Sequence, residues 1–262
     1  MSVMKSLQCI SLVLCTVLLL GCARKESRPR VVSHPLLKGL EAFFSLCESD
    51  ARRACAVITE RDLIKNLTHL HRMNEGGKRY YLLERENITE MIRAVTEGVY
   101  SDFILINRHG VIIYTMHNDD LFGKNVLSTL RGSPLAACLL AETQELHIED
   151  LAAFPPPGRS RNLYVSIRVV REASFHGLFL LQVGSEKLAE HIEKGVSLLG
   201  LDGVCALSGN GAAVGLPHPH FGRIDLERIR RGNQHCFEAG MGSRCCVMFR
   251  FKNLEWIVLG RP

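Results

Sequence analysis

The sequence predicts an α+β protein, with a long helical segment near the N-terminus followed by antiparallel strands in a larger and a smaller module. Three observations carry this reading. Apolar residues between Leu36 and Leu70 recur at three- and four-residue steps, the period of a helix with one buried face. From Asp102 onward the apolar runs are short, rich in strand-favouring residues and bounded by turn chemistry. The tail after residue 199 then repeats part of that plan in miniature.

The helical segment begins at Pro35. Leu36, Leu37, Leu40, Phe43, Phe44 and Cys47 fall on one face, and Ala54, Val57, Ile58, Leu63, Ile64, Leu67 and Leu70 continue it with breaks. Glu75-Gly76-Gly77 reads as a stop. A second helix is expected from Tyr80 to Thr96, ended by Gly98. Asp102 to Ile106 reads as a strand, Asn107-Arg108-His109-Gly110 as a turn, and Val111 to Thr115 as the return strand. A helix follows from Pro134 to Glu142. The stretch Phe154 to Ser160 holds three successive prolines and reads as a surface loop, since proline cannot donate to a sheet ladder.

Strands are expected at Asn162 to Val170 and Gly177 to Val183, about a turn at Glu172-Ala173-Ser174. Ser185 is expected to cap a helix reaching Lys194, with Glu186 in its first turn. In the tail, residues 202–215 read as strand, tight turn, strand. Asp225 caps a short helix that Gly232 stops, and Ser243 to Phe251 and Leu254 to Gly260 are closing strands about Lys252-Asn253.

Ahead of all this, Lys5 precedes an apolar run from Ile10 to Leu20, the pattern of an export signal. The run has about half the ~20 residues a membrane-spanning helix needs. Leu19-Leu20-Gly21-Cys22 resembles the bacterial lipoprotein signal, which implies cleavage after Gly21 and diacylation of Cys22. An ordinary secretory signal, or an uncleaved anchor that contains a cysteine, is the alternative. Each buried methylene contributes about 0.8 kcal/mol, so two or three acyl chains would anchor the protein durably. Residues 1–21 are thus read as signal peptide and 22–33, charged and containing Pro29, as a tether.

The remaining ~240 residues suffice for one large domain or two small ones with a real core. Hydrophobic content of 47% and charged content of 23% are ordinary for a globular chain. The net charge is +5, but the basic residues are scattered and lack aromatic interleaving, so nucleic acid is not an expected partner. Ten cysteines are present; without Cys9, Cys15 and Cys22 an odd set of seven remains. An exported compartment permits disulfides. Cys47 and Cys55, eight apart in a helix, lie about 12 Å apart along its axis and cannot bridge. Cys205 with Cys236, Cys245 or Cys246 is the more plausible pairing, the connectivity being open.

His69 and His71 stand two apart in a helical region and so face different ways. His218, His220, His235 and the late cysteines match no closed zinc module, so no metal is expected. Gly209 to Gly215 resembles a nucleotide loop, but Gly215 and Pro217 forbid the helix such a loop needs. There is no Gly-x-Ser-x-Gly elbow, and Asp119-Asp120 reads as a turn; no catalytic residue and no cofactor is expected. The sequons at Asn66 and Asn87 fall in helices.

Order and spacing of the later segments resemble an extracytoplasmic double Cache sensor domain, as in bacterial chemoreceptors and sensor kinases. The first half of the likeness rests on Asp102, Phe103, Gly110, Tyr114, Thr115, Gly123 and Asn125. The second half rests on Asp150, Phe154, Ser166, Gly177, Leu181 and Gln182. Residues 199–262, ending on the strand with Trp256, are similar to the smaller second module of such domains. The resemblance implies a long helix packed on a PAS-like antiparallel sheet. It divides the chain into a helical segment at 34–98, a membrane-distal Cache-like module at 99–195 and a smaller one at 196–262.

It also implies a small extracellular ligand held between sheet and loops. The chain departs from the amino-acid-binding members, whose arginine-x-tryptophan-tyrosine stretch and later aspartate are not found. "LRGSPLAACLL" stands in the first place with only Arg131, and Gln182 stands near the aspartate's place. The expected ligand is therefore a carboxylate or neutral metabolite rather than an amino acid. Arg131, Tyr164, Ser166, Arg168 and Gln182 are the candidate binding residues, Tyr164, Ser166 and Arg168 sharing one strand face. Loops 117–135 and 150–162 are expected to close over the ligand. The chain carries no second membrane helix after its sensor-like part. The expected role is therefore a lipid-anchored binding protein of the bacterial envelope, facing periplasm or exterior, that presents ligand to a receptor or transporter. The alternative is a degenerate sensor fold that docks a protein and binds no ligand.

Overall fold

The computed structural model describes residues 34–261 apart from 142–144, 153–160, 209–215, 233 and 240–241, and at 74–78 the backbone alone. The leader, Cys22, the tether, the proline loop and the glycine-rich turn at 209–215 lie outside the described residues.

A 3-10 turn at Pro35–Leu37, where the His34 ring accepts from the Leu36 N–H, leads into α1 (Lys38–Glu60). Of the predicted apolar stripe, Leu40, Phe43, Phe44, Cys47, Ala54 and Ile58 are buried in α1, joined by Ala51, while Val57 is half-buried. The helix stops at Arg61 because Asp62 takes a left-handed φ of 54°, and α2 (Leu63–Arg72) starts afresh. Gly76-Gly77 does not stop a helix, contrary to expectation. The break falls at Met73, and α3 runs Asn74–Arg93 straight through both glycines. Each glycine costs only about 1 kcal/mol in a helix, less than the burial of Tyr81, Ile88 and Ile92 contributes. The α3 helix also ends three residues before the expected Thr96.

Two antiparallel five-stranded sheets follow. The first contains β1 (Asp102–Asn107), β2 (Ile112–Thr115), β3 (Leu146–Ala152), β4 (Asn162–Arg171) and β5 (Ser174–Gly184), in the order β2-β1-β5-β4-β3. The second contains β6 (Ser197–Leu199), β7 (Cys205–Ser208), β8 (His235–Glu238), β9 (Ser243–Phe251) and β10 (Leu254–Gly260), in the order β7-β6-β10-β9-β8. Of these, β3, β6 and β8 escape the sequence reading. β3 and β8 are edge strands, half solvated, and β6 has only three residues, too few to show a period.

The β4–β5 turn is built from Glu172 and Ala173, both with left-handed φ, so β5 begins at Ser174 rather than Gly177. Gly177 has a different task. A Cβ there would lie 2.1 Å from the Ile106 carbonyl oxygen, so only glycine lets β5 approach β1.

Short helices complete the chain. α4 (Pro134–Leu140) is capped by Ser133, whose hydroxyl accepts from the Ala136 N–H at 3.3 Å. α5 (Ser185–Ala189) is shorter than expected: it stops before Lys194, and its cap is Gly184 with no side-chain bond, not Ser185. α6 (Leu226–Arg230) has the predicted cap, Asp225 accepting from the Arg228 N–H.

The core explains why α1 is long. Its face joins one continuous apolar cluster with Leu163, Val165, Ile167 and Phe179 of the first sheet and Phe249, Trp256 and Val258 of the second. Phe44 sits 5.4 Å from Phe249, 5.3 Å from Phe251 and 5.8 Å from Trp256, ring centre to ring centre. Each sheet's other face has a separate core. Ile104, Ile106, Tyr164, Leu178 and Leu180 of the first are covered by Leu121, Val126, Leu135 and Leu139. Ile257 and Leu259 of the second are covered by Ile229.

The disulfide is Cys236–Cys245, linking facing residues of β8 and β9. Cys205, expected as a partner, is buried and free. It lies on β7, the opposite sheet edge from β8, and four strand spacings of about 4.8 Å far exceed the reach of a bridge.

Candidate ligand-binding site

The register of the first sheet places four polar side chains in one row. Asp102 of β1 faces Gln182 of β5, Gln182 faces Tyr164 of β4, and Tyr164 faces Glu149 of β3. Directly opposed residues share a face, about 5 Å apart. The alternation of Leu163, Val165 and Ile167 into the α1 core puts this row on the other face, the one beneath α4 and the 119–133 loop. The next row repeats the theme, with His147 opposite Ser166.

This face holds an accounting anomaly. Buried polar atoms in folded proteins nearly always find partners. Among the described residues, three buried side-chain atoms do not: Thr115 Oγ1, His147 Nδ1 and Gln182 Oε1. Gln182 stands in the row of Asp102 and Tyr164, whereas Thr115 of β2 and His147 of β3 stand at opposite edges of the neighbouring row, four strand spacings of about 4.8 Å apart. Gln182 is only 9% exposed.

Electrostatics sharpen the picture. Loss of water pushes the Asp102 carboxyl up to about 6, although the N–H groups of Met116, at 2.7 Å, and His117, at 3.2 Å, donate to it and pull the other way. Burial likewise pushes the Tyr164 hydroxyl up, and the Cys138 thiol of α4 up to about 12. Ser166 donates to the His147 carbonyl at 3.1 Å. The His147 Nε2 lies 3.2 Å from the Glu149 carboxylate, which leaves Nδ1 as the orphan.

The cover is fastened by residues the sequence singled out. Gly123, with φ of 79°, donates to the Ile112 carbonyl, and the Val126 N–H donates to the Gly110 carbonyl. Asn125 donates to the His109 carbonyl at 2.8 Å and accepts from the Leu127 N–H. This lays the 123–126 segment along β2 and brings Leu121, Val126 and α4 over the sheet.

The candidate residues fall apart into two groups. Tyr164, Gln182 and Ser166 come together under the cover. Arg168 lies four residues further along β4, its guanidinium 4.1 Å over the Phe175 ring. Arg131 is exposed in the turn before α4. Asp102, Glu149, His147 and Thr115 were not among the candidates. Asp102 and Thr115 are among the residues that carry the resemblance, and the unread alternation in Leu146-His147-Ile148-Glu149 is the signal that could have marked β3.

No family model matches the chain, and no curated protein matches its sequence. Solved structures do match. The extracellular ligand-binding receptor from Desulfohalobium retbaense superposes with a TM-score of 0.58 at 11% identity, over 86% of this chain and 38% of that one. The chain thus spans well under half of that receptor's length. The sensory domain of the Campylobacter jejuni chemoreceptor Tlp3 gives 0.56 at 12%, over 85% of this chain and 86% of that one. The Vibrio cholerae histidine kinase DctB sensor domain gives 0.52 at 12%, over 87% and 94%. The Tlp3 domain is also known in complex with L-valine. Likeness at such identity shows the fold: the chain has the double Cache-like architecture of sensor domains, as its sequence resembles.

Proposed function

We propose that this chain captures a small polar molecule on the α4-facing side of its first sheet, without catalysing a reaction. The observation that carries the reading is the orphaned Gln182 Oε1, buried on that face between Asp102 and Tyr164. A ligand that donates to Gln182 Oε1 would remove a penalty of about 1–3 kcal/mol. The row is acidic, with Asp102 and Glu149 at its ends and no cation among the four. That favours the neutral branch of the expected ligands and disfavours a simple carboxylate. It also admits an amine, which Asp102 would meet as counter-charge. Tyr164, Gln182 and Ser166 line the site; Arg131 and Arg168 stand at its margins.

In the same reading, lipid on Cys22 holds the protein at the bacterial envelope, facing periplasm or exterior, where it presents ligand to a receptor or transporter. Among the described residues no helix is long and apolar enough to cross a membrane.

A thermal-shift screen of the full-length chain against neutral amides, polyols, amines and amino acids tests the reading. A ligand at a hundred times its dissociation constant adds about 2.7 kcal/mol. The gain should vanish in Gln182→Ala and shrink in Asp102→Asn. Silence across the screen from folded protein favours the docking alternative. One observation supports that alternative: the cover packs tightly on Ile104 and Leu180 while presenting Leu127, 43% exposed, and Leu140, 62% exposed, to solvent.

A further inference from the structure

A concave feature lies at the opposite end of β1, about 17 Å along the strand from Asp102. It is a half-open cleft of about 500 Å³ between α2, the β1–β2 turn and the start of β5. Six of its lining residues are basic or imidazole side chains: Lys65, His69 and Arg72 from α2, Arg108 and His109 from the turn, and His176 from β5. Among the described residues no acidic side chain lines it. Lys65, Arg72 and Arg108 form no ion pair with any described acid. The adjacent Asp62 is already held by Arg171, at 2.5 Å.

The arrangement is built rather than fluid. Lys65, His69 and Arg72 are spaced i, i+4, i+7, which places them on one stripe of α2. The turn is held in place from both sides. Buried Asn107 accepts from the N–H groups of His109 and Val111, both at 3.0 Å, and donates to Thr68 of α2 at 3.4 Å. The Arg108 N–H donates to the His176 carbonyl at 2.9 Å. Three elements therefore bring Lys65, Arg72 and Arg108 to one concavity that an anion would complement. The size is that of a small-molecule site. Two arginine forks match the geometry of phosphoryl oxygens, and three formal charges exceed what one carboxylate would balance.

We propose that this cleft binds phosphate groups, separately from the ligand site on the other end of the sheet. A soluble phosphorylated molecule and an anionic lipid headgroup share this chemistry. Titration calorimetry of the full-length chain with pyrophosphate at constant ionic strength tests the proposal. Binding should weaken at least tenfold in Arg72→Ala/Arg108→Ala. It should not change in Arg228→Ala/Arg231→Ala, which removes the same charge from an exposed site elsewhere. Sedimentation with phosphatidylglycerol and phosphatidylcholine vesicles supplies the second arm, since all variants carry the same leader. Pyrophosphate binding that depends on Arg72 and Arg108 assigns a soluble phosphate. Phosphatidylglycerol-specific binding with the same dependence, and none to pyrophosphate, assigns a headgroup. Equal loss in both double variants, or no loss in either, overturns the site.

Discussion

Tyr100 donates its hydroxyl hydrogen bond to Asp50 at 2.6 Å, tying the entry of the first sheet to the middle of α1. Asp50 is fully buried, and its carboxylate also accepts from the Gly98 N–H at 2.8 Å and the Glu97 N–H at 3.1 Å, and pairs with Arg53. This one carboxylate closes the path from α3 back to β1. Burial pushes the neighbouring Cys47 thiol up to about 12 and keeps it neutral.

Asp50→Ala should therefore destabilise the fold by roughly 1–3 kcal/mol for each donor it strands, the Tyr100 hydroxyl and the Glu97 and Gly98 N–H groups, while Arg53 keeps Glu97 and the Val95 carbonyl. Tyr100→Phe should cost about 1–3 kcal/mol. Urea denaturation of both single variants and the double variant measures the coupling. Strictly additive losses would show that the two residues do not act together.

Asp102 makes a pH prediction. Its folded value of about 6 stands above the ordinary 3.8, so the folded state holds the proton more tightly. The associated stability is full below the unfolded value and is lost as pH rises through 6, by up to roughly 3 kcal/mol. Asp102→Asn removes that slope. Unfolding midpoints of both proteins between pH 4 and 7 give a difference curve; a flat one refutes the assignment.

The two sheets are joined by side chains rather than by strand pairing. Asn253, at the β9–β10 turn, accepts from the Ile148 N–H at 2.8 Å and donates to the Ile148 carbonyl at 2.6 Å. Trp256 donates its indole N–H to Asp150 at 3.1 Å. Asn253→Ala should cost about 1–3 kcal/mol and lower the cooperativity between modules. Hydrogen exchange at β3 and β10 reads this. Unchanged protection of the Ile148 amide would contradict it.

Reduction of Cys236–Cys245 should lower stability by about 2–3 kcal/mol, the loop-closure value for so short a loop. Cys236→Ser should reproduce the loss and abolish its dependence on reductant. Cys205→Ser should leave that dependence intact, because Cys205 is free. A reductant effect that follows Cys205 would reverse the pairing.

Much of this architecture is legible in the linear sequence, because it rests on local rules. The apolar stripe of α1, the hairpin about Asn107 to Gly110, the Asp225 cap and the closing β9–β10 pair all declare themselves by period or turn chemistry. Where local and tertiary forces compete, local signals mislead. Gly76-Gly77 looks like a stop, yet packing of Tyr81 and Ile92 carries α3 through it.

The site is less legible, because register is a long-range property. The sequence by itself determined that Tyr164, Ser166 and Arg168 share a strand face, and that Gln182 belongs near it. Only the tertiary structure decided that Asp102, Gln182, Tyr164 and Glu149 stand in one row, since strands 102, 149, 164 and 182 residues into the chain meet there by pairing alone. The same holds for Lys65, Arg72 and Arg108, scattered in sequence and gathered into one cleft. It holds too for Cys205, which strand order places at the wrong edge to bridge. Chemistry is written residue by residue, but the neighbours that give it effect are chosen by the free energy of the whole fold.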